Sequence, residues 1–148
     1  MSASTVRCPS CGTVNRVRPV AQGVPQCASC HHKLPWIVDA GTGTFAEETT
    51  ASVLVLVDFW APWCGPCRMV SPAVEQVARD FAGRLKAVKV NVDDSPQVAG
   101  RFAVQGIPLL VLLRDGAEVD RQVGAVPAAT LRAWVERHLA APEAPGVS

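Results

Sequence analysis

The run Val53-Leu54-Val55-Leu56-Val57-Asp58-Phe59 leads through Trp60-Ala61-Pro62-Trp63 straight into Cys64-Gly65-Pro66-Cys67. The run is apolar and rich in β-branched residues, so it reads as a strand buried on both faces. A strand of that kind belongs in the middle of a sheet with helices packed on either side. The two cysteines fall where a helical pattern begins. A strand that delivers a C-x-x-C pair to a helix N-terminus has the layout of a dithiol/disulfide redox site. The unpaired N–H groups and dipole of that helix end favour negative charge, so the first thiol can ionise near neutral pH.

All six cysteines of the 148-residue chain lie in C-x-x-C pairs. The length allows one ordinary domain, or one plus a small module. Residues 1–34 are the module. They carry Cys8-Pro9-Ser10-Cys11 and Cys27-Ala28-Ser29-Cys30, separated by 15 residues, and few large apolar side chains. A segment this short cannot fold on a core of its own. The spacing fits a structural zinc site with Cys8, Cys11, Cys27 and Cys30 as ligands, in which metal binding supplies the folding free energy. Two disulfides, or His31 or His32 in place of one cysteine, are the competing arrangements. Four protein ligands would leave no open coordination position for catalysis. The intervening Arg16, Arg18 and Gln22 carry no specific signal. No Gly/Ser linker marks the boundary near Lys33-Leu34-Pro35, so the module is expected to be docked or short-tethered.

The stretch from Met1 to Arg7 has no apolar signal-like core, and no apolar run approaches the roughly 20 residues that span a bilayer. The expected location is cytoplasmic, where structural disulfides are rare and C-x-x-C pairs serve as metal ligands or reactive thiols. A net charge of +1 gives no reason to expect nucleic acid or a membrane surface as partner.

Beyond the boundary, Trp36 to Ala40 reads as a short strand. Thr44-Phe45-Ala46-Glu47 has capping-box spacing and predicts a helix to about Ala51. After the strand 53–59, Val70, Val74, Val77, Ala78 and Phe81 recur at helical spacing, predicting a helix from Cys64 to about Ala82 that Pro72 should kink and Gly83 should end. Leu85 to Val92 reads as a strand. Asp94-Ser95-Pro96 opens a short helix carrying Val98 and Phe102. Leu109 to Leu113 and about Glu118 to Val123 form a hairpin through Asp115-Gly116. Pro127 starts a last helix with Leu131, Trp134, Val135 and Leu139 on one face, and His138 at its surface. The order β-α-β-α-β-α-β-β-α predicts an α/β fold with a mixed central sheet flanked by helices.

The stretch Val57-Asp58-Phe59-Trp60-Ala61-Pro62-Trp63-Cys64-Gly65-Pro66-Cys67 resembles the active-site signature of thioredoxins. Val88-Lys89-Val90-Asn91-Val92-Asp93, Gly106-Ile107-Pro108 and Val123-Gly124-Ala125 resemble further landmarks of that family, in the same order. The ribbon resembles the N-terminal extension of the bacterial thioredoxin 2 type. The resemblance implies a thioredoxin fold, three layers α/β/α, over residues 35–141, preceded by a zinc ribbon over 1–34 and followed by a loose tail at 142–148.

It also implies roles. Cys64 is expected to attack a substrate disulfide, and Cys67, one turn on, to resolve the mixed disulfide. Asp58, whose burial in an apolar run should raise its pKa, corresponds to the family's proton acceptor for the resolving cysteine. Lys89 corresponds to that aspartate's lysine partner. Gly65 and Pro66 add no donor to the Cys64 thiolate, which by resemblance favours reduction over oxidation. Ile107-Pro108 is expected to be a cis peptide bond beside the cysteines. With Trp63 and Gly124 it should receive an extended client segment. Leu109 stands where the family usually has Thr, which would make this turn more apolar and alter substrate preference. Trp60 is expected beneath the site, Trp36 and Trp134 in the core or at the domain contact, and Arg68 as a positive charge near the thiolate.

The function so implied is protein-disulfide reduction by a monomer. NADPH supplies the electrons through thioredoxin reductase, the clients are disulfide-containing proteins, and one structural zinc is the only bound cofactor. The alternative is a zinc-ribbon binding or redox-sensing module that uses the fold as a scaffold.

Overall fold

The computed structural model describes residues 4–17 and 25–140. The expected tail at 142–148, and Arg18 and Gln22, lie outside the described residues. The chain begins with an antiparallel pair, β1 (Ser4–Arg7) and β2 (Val14–Val17), with Arg7 opposite Val14. The second part contains β3 (Trp36–Ala40), α1 (Phe45–Glu48), β4 (Leu54–Trp60), α2 (Gly65–Asp80), β5 (Leu85–Asn91), α3 (Pro96–Arg101), β6 (Leu109–Arg114), β7 (Ala117–Val123) and α4 (Ala128–Ala140). Its five strands pair in the order β3-β5-β4-β6-β7, with β3, β5 and β4 parallel and β6 and β7 antiparallel. This is the predicted thioredoxin fold.

The central strand β4 explains its own composition. Leu54 and Leu56 point into one core, with Val70, Val74 and Val77 of α2 and Leu131, Trp134 and Val135 of α4. Val55, Val57 and Phe59 point into the other, with Phe45 and Val98. A strand that serves two cores has no solvent side, so even its one polar residue, Asp58, is buried.

Several boundaries differ from the sequence expectation for identifiable reasons. The predicted helix to Ala51 stops at Glu48. The capping box does not form: Thr44 Oγ1 accepts from the N–H of Gly41 (2.9 Å), closing the preceding turn. Thr49 and Thr50 then turn their hydroxyls onto the carbonyls of Phe45 and Ala46, the local competition that makes threonine a poor helix extender. Cys64 is the N-cap of α2 rather than its first residue, with extended backbone angles (φ −88°, ψ 107°). The helix is continuous through the exposed Pro72. It ends before Gly83, whose φ of +91° suits glycine; a Cβ there would also lie 2.9 Å from Lys33 Cγ. His138 is not a free surface residue: its Nε2 lies 2.9 Å from Asp120 Oδ2, which also accepts from Trp134 Nε1 at 2.8 Å, tying α4 to β7.

The N-terminal part is docked. Cys8, Val17, Cys27 and Leu34 belong to the same buried cluster as Trp36, Val38 and Phe45. Beneath that contact, Lys86 is fully buried, with its Nζ 3.0 Å from Glu48 Oε1 and 4.3 Å from the centre of the Trp36 ring. Burial lowers the Lys86 pKa and the Glu48 carboxylate opposes that shift. Glu48→Ala removes the carboxylate bonded to this buried ammonium. It is expected to destabilise the fold by about 3–5 kcal/mol, read from urea unfolding.

Candidate active site and cysteine cluster

Strand β4 ends at Trp60, and Ala61-Pro62-Trp63 turns the chain so that Cys64 caps α2. Cys64 and Cys67 are joined as a disulfide, with Cα atoms 5.3 Å apart. The Cys67 N–H points at Cys64 Sγ (3.2 Å), so a backbone donor stands ready to stabilise a Cys64 thiolate. Gly65 and Pro66 are exposed and form the first turn. Trp60 packs against the cysteine pair from below, together with Val92 and Ile107. The Arg68 guanidinium donates to the carbonyl of Pro62 (3.0 Å).

The surface around the pair is apolar. Trp63 is 68% exposed, and its indole N–H donates to Asp93 Oδ2 (2.9 Å). Ile107–Pro108 is a cis peptide bond, and the Gly124 N–H donates to the carbonyl of Pro108 (2.9 Å), holding these two segments together. Met69 and Val123 are also strongly exposed. Met69 carries no sequence signal, and Asp93 and Val123 figure in the sequence only within landmark stretches. The usable signal for Asp93 was its place just past the carboxyl end of β5, the edge where sites in such sheets form. Leu109 departs from expectation. It is 2% exposed, pairs with Phe59 and Val123, and points into the core, so it adds nothing to this surface.

Asp58 is 1% exposed, and neither carboxylate oxygen has a hydrogen-bond partner among the described residues. Burial pushes its pKa up to about 6, against the pull of Lys89 and with a further push from Glu75. Lys89 is the neighbour of Asp58 in the strand register, yet its Nζ is bonded elsewhere, to Ser71 Oγ (2.6 Å) and Glu75 Oε2 (2.8 Å). Lys89 therefore acts on Asp58 by charge and not by direct contact.

An unfolded Asp ionises near 3.8, whereas folded Asp58 holds its proton to about pH 6, so the native protein loses stability as pH rises between these values and levels off above them. Asp58→Asn is expected to be more stable than wild type by on the order of 3 kcal/mol at neutral pH. The difference should vanish below about pH 4, as measured by denaturant unfolding across that range.

The four remaining cysteines converge. Cys8 and Cys30 sulfurs are 3.6 Å apart, Cys11 and Cys27 sulfurs 3.5 Å, and all four lie within 4.8 Å of one another without a bond between them. A tetrahedral metal with sulfur bonds of about 2.3 Å requires sulfur–sulfur edges of about 3.8 Å, so this set could hold a metal ion. The two halves are built alike. Cys8 N–H donates to Thr13 O and Cys27 N–H to His32 O, while Gly12 and His31 donate back to the carbonyls of Cys8 and Cys27. Gly12 and His31 both have positive φ, at 81° and 67°. The Ser29 N–H reaches Cys27 Sγ at 3.4 Å, and His32 Nδ1 stands 3.3 Å from Cys30 Sγ, outside the sulfur set.

Residues 36–137 match the protein-family model described as Thioredoxin. A protein named thioredoxin 1 from Nostoc is 53% identical over 97 residues, which cover 65% of this chain and 91% of that protein. Thioredoxin 1 of Synechococcus elongatus is 50% identical over 97 residues, with the same coverage. A thioredoxin of Synechocystis is 45% identical over 106 residues, covering 71% of this chain and 96% of the relative. The family match begins at the first residue of β3. Among the described residues, no helix is long and apolar enough to cross a membrane.

Proposed function

This chain belongs to the thioredoxin family and is a protein-disulfide oxidoreductase, and from that premise we propose that it reduces client disulfides by a Cys64/Cys67 dithiol–disulfide cycle. The observation that carries the reading is the redox pair at the N-terminus of α2, with the Cys67 N–H on Cys64 Sγ. Cys64 thiolate attacks a client sulfur and displaces the other as a thiolate. Cys67 gives up its proton and attacks Cys64 Sγ. The Cys64–Cys67 bond forms, the bond to the client breaks, and the client leaves with both sulfurs reduced. Asp58, buried and without a hydrogen-bond partner among the described residues, is the base for Cys67. Lys89 tunes it by charge. Trp63, Gly65, Pro66, Ile107, Pro108 and Gly124 receive the client as an added extended strand.

The reading extends to the chain's surroundings. The protein acts as a monomer in the cytoplasm. Thioredoxin reductase recharges the pair with electrons from NADPH, and the clients are proteins with exposed disulfides. Cys8, Cys11, Cys27 and Cys30 hold one structural zinc in a ribbon of the bacterial thioredoxin 2 type. The tetrathiolate geometry supports this, since zinc favours four sulfur ligands and a closed shell. The ribbon feeds into β3 at Trp36, the starting edge of the parallel strands, while Cys64 follows their finishing edge at Trp60. The length of β4 separates the two edges by about 20 Å, which keeps the two thiol chemistries apart.

The test is insulin reduction coupled to thioredoxin reductase and NADPH. Sustained NADPH consumption is expected. No turnover, or a measured potential far more oxidising than the cytosol, would reject the assignment.

A further inference from the structure

Cys67, Ser71 and Glu75 follow one another at intervals of four residues along α2, so they share one helix face. That face looks onto the side of the sheet that carries Asp58 and Lys89. Cys67 and Ser71 also line a small cavity of about 130 Å³ together with Trp60, Ala61, Pro62 and Arg68. At about 30 Å³ per molecule, such a space can admit a few waters. Ser71 Oγ is already an acceptor, bonded by Lys89 Nζ at 2.6 Å. An ammonium can only donate, so the hydroxyl's own hydrogen is left to point elsewhere. On the far side, Lys89 meets Glu75 at 2.8 Å, and Glu75 reaches solvent with 39% of its side chain exposed.

We propose that Ser71 is a positioning residue for the release step: clamped by Lys89, it directs its O–H into the cavity beside Cys67 and orients the water path from the Cys67 thiol to Asp58. The same bond keeps the Lys89 charge close to Asp58 instead of letting it follow Glu75 outwards. The inference rests on the reading of Asp58 as the base. The Cys67 proton passes through water to an Asp58 oxygen, and the Cys67 electron pair forms the bond to Cys64. The client sulfur leaves with the pair of the broken bond, and Asp58 later returns its proton to solvent. The charged groups around this path are Asp58 from β4, Lys89 from β5, and Glu75 and Arg68 from α2. Strand β6 places only Leu110 opposite Asp58, and α4 brings Leu131, Trp134 and Val135 into the adjoining core.

The experiment is single-turnover reduction of a protein disulfide, followed by intrinsic tryptophan fluorescence and acid quenching across a pH series. Ser71→Ala, a change that favours the helix, should slow release about tenfold, so that the mixed disulfide accumulates. With Lys89 no longer held near Asp58, the pH midpoint of release should move upward. Ser71→Thr restores the hydroxyl and should recover both rate and midpoint. A wild-type release rate and midpoint in Ser71→Ala, or no recovery in Ser71→Thr, would overturn the role of Ser71. Asp58→Asn is measured beside them. If it keeps the wild-type midpoint, the base assignment itself fails, and that outcome is distinct from failure of the serine alone.

Discussion

Cys64→Ser is expected to reduce insulin at no more than the uncatalysed rate, while folding as well as the wild type. The two halves of that result have different causes. Serine is among the best N-cap residues, and Cys64 occupies the N-cap of α2 with its Sγ accepting the Cys67 N–H, so a hydroxyl there preserves or strengthens the helix start. Its oxygen, however, stays protonated where a thiol ionises, and it does not attack a disulfide. Thermal unfolding should therefore match that of the reduced wild type, which like the variant lacks the Cys64–Cys67 bond, while turnover disappears. Cys67→Ser should behave differently. The first attack still occurs, but nothing resolves it, so a covalent client adduct should accumulate and be visible on a non-reducing gel. Residual turnover in Cys64→Ser, or no adduct in Cys67→Ser, would remove these cysteines from their assigned steps.

On the proposed zinc site, Cys27→Ser is expected to take the metal content from one zinc per chain to none. Zinc binding by comparable small modules is worth about 10–16 kcal/mol, and a hydroxyl cannot replace a thiolate in a closed tetrahedral set. The loss should spread beyond the metal. Cys8, Cys27 and Leu34 pack in the same core as Trp36 and Val38, so a loosened ribbon opens the edge of the sheet at β3. Residues 4–17 and 25–34 should become sensitive to proteolysis, and the fluorescence of Trp36 should shift toward that of a solvated indole. The redox pair lies past the opposite edge of the parallel strands, so insulin reduction should survive where the fold does. Full zinc retention in Cys27→Ser, or wild-type protein purified without zinc under reducing conditions, would reject the site.

Periodicity and covalent spacing made much of this molecule legible. The order of its elements, the strand-to-helix delivery of Cys64 and Cys67, the hairpin at Asp115-Gly116 and the pairing of Cys8 and Cys11 with Cys27 and Cys30 are each written within short windows. The structure meets those expectations where local chemistry is undisputed. It departs from them where two local options compete, as at Thr44, whose hydroxyl could cap a helix or close a turn and does the latter.

The sequence by itself determined which elements form beyond residue 35 and where the cysteine pairs lie, because both depend on neighbours a few positions away. Only the tertiary structure decided what each buried group faces. It turned Leu109 into the core, gave Lys89 to Ser71 and Glu75 instead of Asp58, tied Trp63 to Asp93 across 30 residues, joined His138 to Asp120, and set the ribbon against Trp36. Each of those outcomes depends on the register and facing of elements distant in sequence. A change of one residue in strand register turns a side chain to the other face of the sheet, and in strands apolar on both faces, such as β4 and β6, no alternating pattern fixes that choice.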